Sequence, residues 1–93
     1  MTSEGRLDQI LVEAVRKARG LCIKLPAIWY IGIPDRMILL PRGRIYFVEL
    51  KSNTGRVSPT QRKWAGLLAK LGFQSYLIKG KIELKEFINA FIY

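Results

Sequence analysis

The sequence predicts an α/β fold, a mixed β-sheet of about four strands flanked by helices in the order α-β-β-β-α-β-α. Three observations carry this. The two ends of the chain have helical apolar spacing, and Ser58-Pro59-Thr60-Gln61 has the form of a third helix start. Between them lies a clear hairpin. Its second arm, Arg44–Leu50, is apolar on both faces, as suits a central strand covered on each side.

Ser3 to Ala18 places Leu7, Ile10, Leu11, Ala14, Val15 and Ala18 on one helical face, and Gly20 is expected to end that helix. Leu21 to Leu25 reads as a short strand stopped by Pro26, followed by a loop through Trp29, Tyr30 and Gly32 to Pro34. The hairpin is Arg36–Leu40, a turn at Pro41-Arg42-Gly43, and Arg44–Leu50. Asn53 to Val57 is a polar loop. The helix opened by Ser58 should run to about Leu71, with Gly72 as its stop. Gln74–Ile78 is the last strand, and Ile82–Ile92 a closing amphipathic helix. Trp64, spaced with Leu67, Leu68 and Leu71, is expected in the core.

Residues 1–93 read as one domain, with no repeat or linker dividing them. An apolar share of 49% and a charged share of 25% belong to a globular chain rather than a disordered one. No apolar run approaches the roughly 20 residues that cross a bilayer, and the N-terminus lacks a signal-peptide pattern, which points to the cytoplasm and no membrane. One cysteine and no histidine exclude a disulfide framework, a plausible zinc ligand set and histidine-dependent triads. The net charge of +9 draws the chain toward polyanions, of which nucleic acid is the commonest.

The chemistry sits on the hairpin. With the turn between Pro41 and Gly43, Asp35 falls opposite Glu49 or Leu50. Two carboxylates would then be neighbours at roughly 5 Å, a repulsion on the order of 3 kcal/mol at an effective dielectric of about 20. A proton, a basic side chain or a metal must compensate. Lys51, two residues after Glu49, projects from the same face of the strand. Two arrangements fit this spacing. One is an oxygen-only site of Asp35, Glu49 and the Leu50 backbone carbonyl, suited to Mg²⁺ or Mn²⁺, with Lys51 beside a phosphate. The other is a salt bridge of Lys51 with one carboxylate.

Pro34-Asp35 and Glu49-Leu50-Lys51 form the PD…ExK signature of the PD-(D/E)xK nuclease superfamily. Together with Gly32-Ile33-Pro34-Asp35-Arg36, Leu40-Pro41, Phe47-Val48-Glu49-Leu50-Lys51 and Ser58-Pro59-Thr60-Gln61, the chain resembles the virus-type replication–repair nuclease domain, VRR-NUC, over almost its whole length. The resemblance implies a restriction-endonuclease-like core and a divalent-metal-dependent endodeoxyribonuclease in a bacterial or phage-infected cell. Asp35 and Glu49 would be metal ligands, Lys51 the catalytic lysine and Gln61 a further residue of the site. Gln61 also fits a capping box with Ser58.

The family also places an acid of the first helix near the metal. With Leu7 at zero, the apolar stripe centres near about 20°, while Glu4 falls at about 60°, Asp8 at about 100° and Glu13 at about 240°. Glu4 is therefore the expected catalytic acid and metal ligand, Asp8 the fallback, and a role for Glu4 in complementing the helix dipole is the plainer alternative. Arg36, Arg42, Arg44, Arg56 and Lys63, with Arg62, are expected to follow a phosphate backbone, and for Arg62 and Lys63 the plainer alternative is a solvated helix charge. Lys24 points into the site or away from it. Trp29 and Tyr30 stack on unpaired bases, or belong to the core or a dimer contact.

A single Asp35-Glu49-Lys51 set implies a homodimer for cutting both strands. The resemblance implies branched DNA as substrate, a four-way junction or a flap. The rival class is an inactive DNA- or RNA-binding module with a nuclease-like fold.

Overall fold

The computed structural model describes residues 2–93. Helix α1 (Glu4–Lys17) starts at Ser3, whose hydroxyl accepts the Arg6 N–H and so satisfies one of the donors that a helix start leaves open. Leu7, Leu11, Ala14 and Val15 form its buried stripe. The stop differs from expectation by one residue. Arg19, not Gly20, takes the left-handed conformation, at φ 64°. The Arg19 N–H bonds the Arg16 carbonyl and the Gly20 N–H the Val15 carbonyl, closing a Schellman motif. Glycine at position 20 serves close packing instead, because a Cβ there would lie 2.5 Å from the Leu39 carbonyl oxygen.

Strands β1 (Leu21–Lys24), β2 (Arg36–Leu40), β3 (Arg44–Lys51) and β4 (Gln74–Lys79) form one sheet in that order. The first three pair antiparallel and β4 joins β3 in parallel, so the sheet is mixed. The hairpin pairs Leu40 with Arg44 and Arg36 with Val48 around a 3₁₀ turn at Pro41–Gly43. β3 is the inner strand expected of it, buried from Tyr46 to Leu50.

Strand alternation divides the side chains between two faces. Ile38, Leu40, Tyr46, Val48, Leu50 and Ile78 join α1 and helix α3 (Gly80–Phe87) in the main core. α3 starts two residues earlier than expected, and its last turn, Ile88–Ile92, widens into a π-helix. Helix α2 (Pro59–Lys70) packs against β4 and reaches the other face of β3. On that second face Phe47 meets Phe73 edge to face, with ring centroids 5.7 Å apart. The part of this face toward β1 is bare. Leu21 and Ile23 share it with their cross-strand partners Leu39 and Met37, and Leu21 is 62% exposed.

Trp64 departs from the expected core position. It is only half-buried, and its indole N–H donates to the Ile31 carbonyl at 3.0 Å while Tyr30 stacks edge-on against its ring. It thus anchors the loop between β1 and β2. Gly32, at φ 92°, allows the close approach, since a Cβ there would lie 2.6 Å from the Thr60 backbone. Trp29 stays 82% exposed, which removes it from the core.

Candidate active site

The register of the hairpin brings two carboxylates together. Arg36 pairs with Val48, so Asp35 and Glu49 stand at the next cross-strand position, just past the end of β2. Asp35 is held from two sides. Its carbonyl accepts the Leu25 N–H at 2.9 Å, and its Oδ2 accepts the Leu50 N–H at 3.0 Å. In an extended residue the N–H and C=O point the same way, so the Leu50 carbonyl is also directed to the Asp35 side. Asp35 and Leu50 line a concavity of about 210 Å³ with Glu4, Asp8, Lys24 and Arg36.

Glu49 is buried, only 7% exposed. Its Oε2 accepts a hydrogen bond from the Gln61 amide at 2.9 Å and lies 3.6 Å from the Lys51 ammonium. Its Oε1 is buried with no hydrogen-bond partner. Burial foremost, and the adjoining Asp35 carboxyl next, push the Glu49 carboxyl up to about 7 against the opposing pull of Lys51. A buried oxygen without a donor, beside a second carboxylate, is a place for a cation. Asp35, Glu49 and the Leu50 carbonyl are hard oxygen donors, and they fit Mg²⁺ or Mn²⁺. Among the described residues, no three acidic, cysteine or histidine side chains gather closely enough to hold a metal by themselves.

Lys51 is covered along its stem by the loop that follows β3. A Cβ at Gly55 would lie 3.1 Å from the Lys51 Cβ, so glycine lets the loop settle there and leaves the ammonium against Glu49. Gln61 is bound at both ends of its amide. Its oxygen accepts the Ser58 N–H at 2.9 Å, completing the capping box, and its nitrogen donates to Glu49. On its other side Glu49 lines a second concavity, of about 320 Å³, with Pro34, Gln61, Arg62 and Tyr76.

The first-helix acids separate cleanly. Glu4 is exposed and shares the concavity of Asp35 without bonding to it. Asp8 is committed to Arg36, which donates Nε to Oδ1 at 2.8 Å, Nη2 to Oδ2, and a third donor, Nη1, to the Cys22 carbonyl. That corrects the expectation for Arg36. Its guanidinium ties α1 to the sheet and its side chain is only 14% exposed, so it is not available to follow a phosphate backbone. Arg42 and Arg44 are displaced for a different reason. They lie at the hairpin turn, five residues or more along β3 from Glu49, which is on the order of 17 Å. Arg44 there bonds the Pro41 and Phe91 carbonyls.

Arg56, on the loop after β3, and Lys63, on α2, are exposed cations on the elements that flank the site. Lys24 lines the Asp35 concavity, which resolves the direction that its sequence position leaves open. Lys79, which pairs in register with Lys51, carries no local motif that marks it as a site residue. Its signal was the run Gln74–Ile78, but which strand pairs with that run, and in which direction, is not a local property.

Two acids and a lysine thus gather where the carboxyl end of β3 meets the start of β2, in a mixed, helix-flanked sheet of the α/β class. The VRR-NUC domain family matches residues 2–82, and the chain belongs to that family. It is 37% identical over 71 residues, 76% of each chain, to "Putative nuclease p44" of Acyrthosiphon pisum secondary endosymbiont phage 1. A solved structure described as a VRR_NUC domain superposes with a TM-score of 0.87 at 28% identity, covering 98% of this chain and 99% of the other. A second, described as a VRR_NUC domain protein, shares the fold with a TM-score of 0.74 at 17% identity, over 99% and 89%. Family and relative together support a nuclease. No helix among the described residues is long and apolar enough to cross a membrane.

Proposed function

We propose that this protein is a Mg²⁺- or Mn²⁺-dependent endodeoxyribonuclease, acting as a homodimer on branched DNA such as a four-way junction or a flap, in the cytoplasm. One observation carries the reading: the buried Oε1 of Glu49 has no hydrogen-bond partner, in a carboxyl that adjoins Asp35 and whose other oxygen faces Lys51. Asp35, Glu49 and the Leu50 carbonyl would hold the ion, with Glu4 as the outer acid of the same concavity. When bound, the ion supplies positive charge that polarises a phosphodiester and favours deprotonation of an attacking water.

The chain's own residues do the rest. Lys51 sets its ammonium where a phosphate gathers negative charge during attack, in a site dry enough for that charge to count. Gln61 fixes one Glu49 oxygen by hydrogen bonding, so the other is aimed at the cation. Lys24, Arg56, Arg62 and Lys63 surround this centre and supply sequence-independent attraction to the DNA backbone. Homodimerisation is supported by the bare apolar surface of Leu21 and Ile23, with Ile28, Trp29 and Ile31 on the adjoining loop.

The test is cleavage of labelled four-way junction, flap and linear duplex with Mg²⁺, Mn²⁺ or EDTA, with Glu49→Ala and Lys51→Ala beside the wild type. Metal-dependent cutting should appear, favour branched substrates, and fall at least about 100-fold in either variant while DNA binding persists. Full activity in Lys51→Ala would remove the role given to that lysine. Binding without any cutting by the wild type would assign the chain to the inactive nucleic-acid-binding class.

A further inference from the structure

We infer that Lys79 is a second phosphate-binding residue of this site, which takes a backbone phosphate flanking the one that Lys51 faces. The inference rests on the nuclease reading and adds a contact to it. β3 and β4 run parallel and end together, with Lys51 in register with Lys79 and Glu49 with Leu77. Neighbouring strands lie about 4.8 Å apart, and residues paired in register share a face. Lys79 therefore stands beside Lys51 on the face that carries Glu49.

Its ammonium has no direct ion-pair partner among the described residues. Lys51 has Glu49 at 3.6 Å, whereas the Lys79 side chain has no hydrogen bond or ion pair among the described residues. Glu83 is the nearest acid in sequence, on the first turn of α3. Its carboxylate accepts the Lys79 N–H at 3.0 Å and makes no ion pair with the Lys79 ammonium. Two lysines side by side on neighbouring strands, with Glu49 paired to only one of them, repel each other until an anion enters.

The strand ends are also held in place. Gly80, at φ 79°, turns the chain directly after Lys79, and a Cβ there would lie 2.2 Å from the Asn53 side chain. The loop after β3 thus rests on the β4–α3 junction at Gly80 and on the Lys51 stem at Gly55. One loop braces both strand ends. The carboxyl ends of parallel strands are where open α/β sheets receive ligands, and this pair of ends presents two cations to a polyanion.

The experiment measures equilibrium binding of a junction in EDTA across a range of salt, and steady-state cleavage with Mg²⁺, for wild type, Lys79→Met and Lys79→Arg. Methionine keeps the aliphatic stem, and thermal denaturation confirms the fold of each variant. Losing one phosphate contact should flatten the slope of log K against log salt by about 0.7–0.9. KM should rise several-fold in Lys79→Met, by more than kcat falls, and Lys79→Arg should recover most of the loss. A wild-type slope and KM in a folded Lys79→Met would overturn the inference while leaving the nuclease intact. A wild type that neither binds nor cuts would end the nuclease reading and this contact with it.

Discussion

Glu49 holds its proton near neutrality, and the sign of that shift fixes how the metal-free protein responds to pH. Its carboxyl, ordinarily close to 4.3, is raised to about 7 by burial and then by Asp35. A folded-state value above the unfolded one means that folding favours the protonated form. The stabilisation is complete below about pH 4 and is lost as pH rises through about 7. Glu49→Gln should therefore be flat where the wild type declines, and more stable than it above pH 7 by on the order of 1–3 kcal/mol. Thermal melts from pH 5 to 8 in EDTA would show it, and parallel curves for the two proteins would refute it. Added Mg²⁺ at pH 8 should raise the wild-type melting temperature and leave Glu49→Gln nearly unmoved. This pairing of acids was legible from the sequence, because a short turn at Pro41–Gly43 sets the register that places Asp35 against Glu49. Arg36 was not, since its partner Asp8 lies 28 residues away on a helix whose docking no local pattern encodes.

At the scale of the element, α2 is the piece whose start doubles as part of the site. Ser58 accepts the Gln61 N–H, and Gln61 returns the bond to the Ser58 N–H while its amide nitrogen holds Glu49. The two duties can be separated. Ser58→Ala removes only the cap and should cost about 1 kcal/mol, with cleavage at a permissive temperature little changed. Gln61→Glu keeps an acceptor for the cap but replaces the donor to Glu49 by a second carboxylate. It should melt near the wild type in Mg²⁺ and cut at least about 10-fold more slowly, as misplacement of a site group does. Equal cleavage by Gln61→Glu and wild type would reduce Gln61 to a capping residue. The helix start itself was readable because Ser-Pro-x-Gln states its capping chemistry locally. The helix end at Arg19 and the anchoring role of Trp64 were not, because both depend on which segment lies alongside.

For the molecule as a whole, the two faces of the sheet are covered unequally. α1 and α3 close one face over the main core, whereas α2 reaches only the β3–β4 part of the other. The periodicity that makes β1 a strand does not say which of its faces stays bare, so this surface emerged only with the fold. A stable dimer needs about 800 Å² from each partner, roughly an eighth of the 6255 Å² that this chain exposes. Leu21, Ile23, Ile28, Trp29, Tyr30 and Ile31 are exposed apolar residues of β1 and the adjoining loop, and they are the surface that the proposed dimer would use. Leu21→Glu with Ile23→Lys adds one charge of each sign and should alter the isolated fold by no more than about 1 kcal/mol, since these are surface positions. The wild type should sediment at about twice 10.7 kDa and the double variant at 10.7 kDa. On a four-way junction the dimer should release paired cuts, and the monomeric variant isolated nicks at a lower rate, because each chain carries one Asp35-Glu49-Lys51 set. A wild type of 10.7 kDa at every concentration would remove the dimer and leave this apolar face to the DNA.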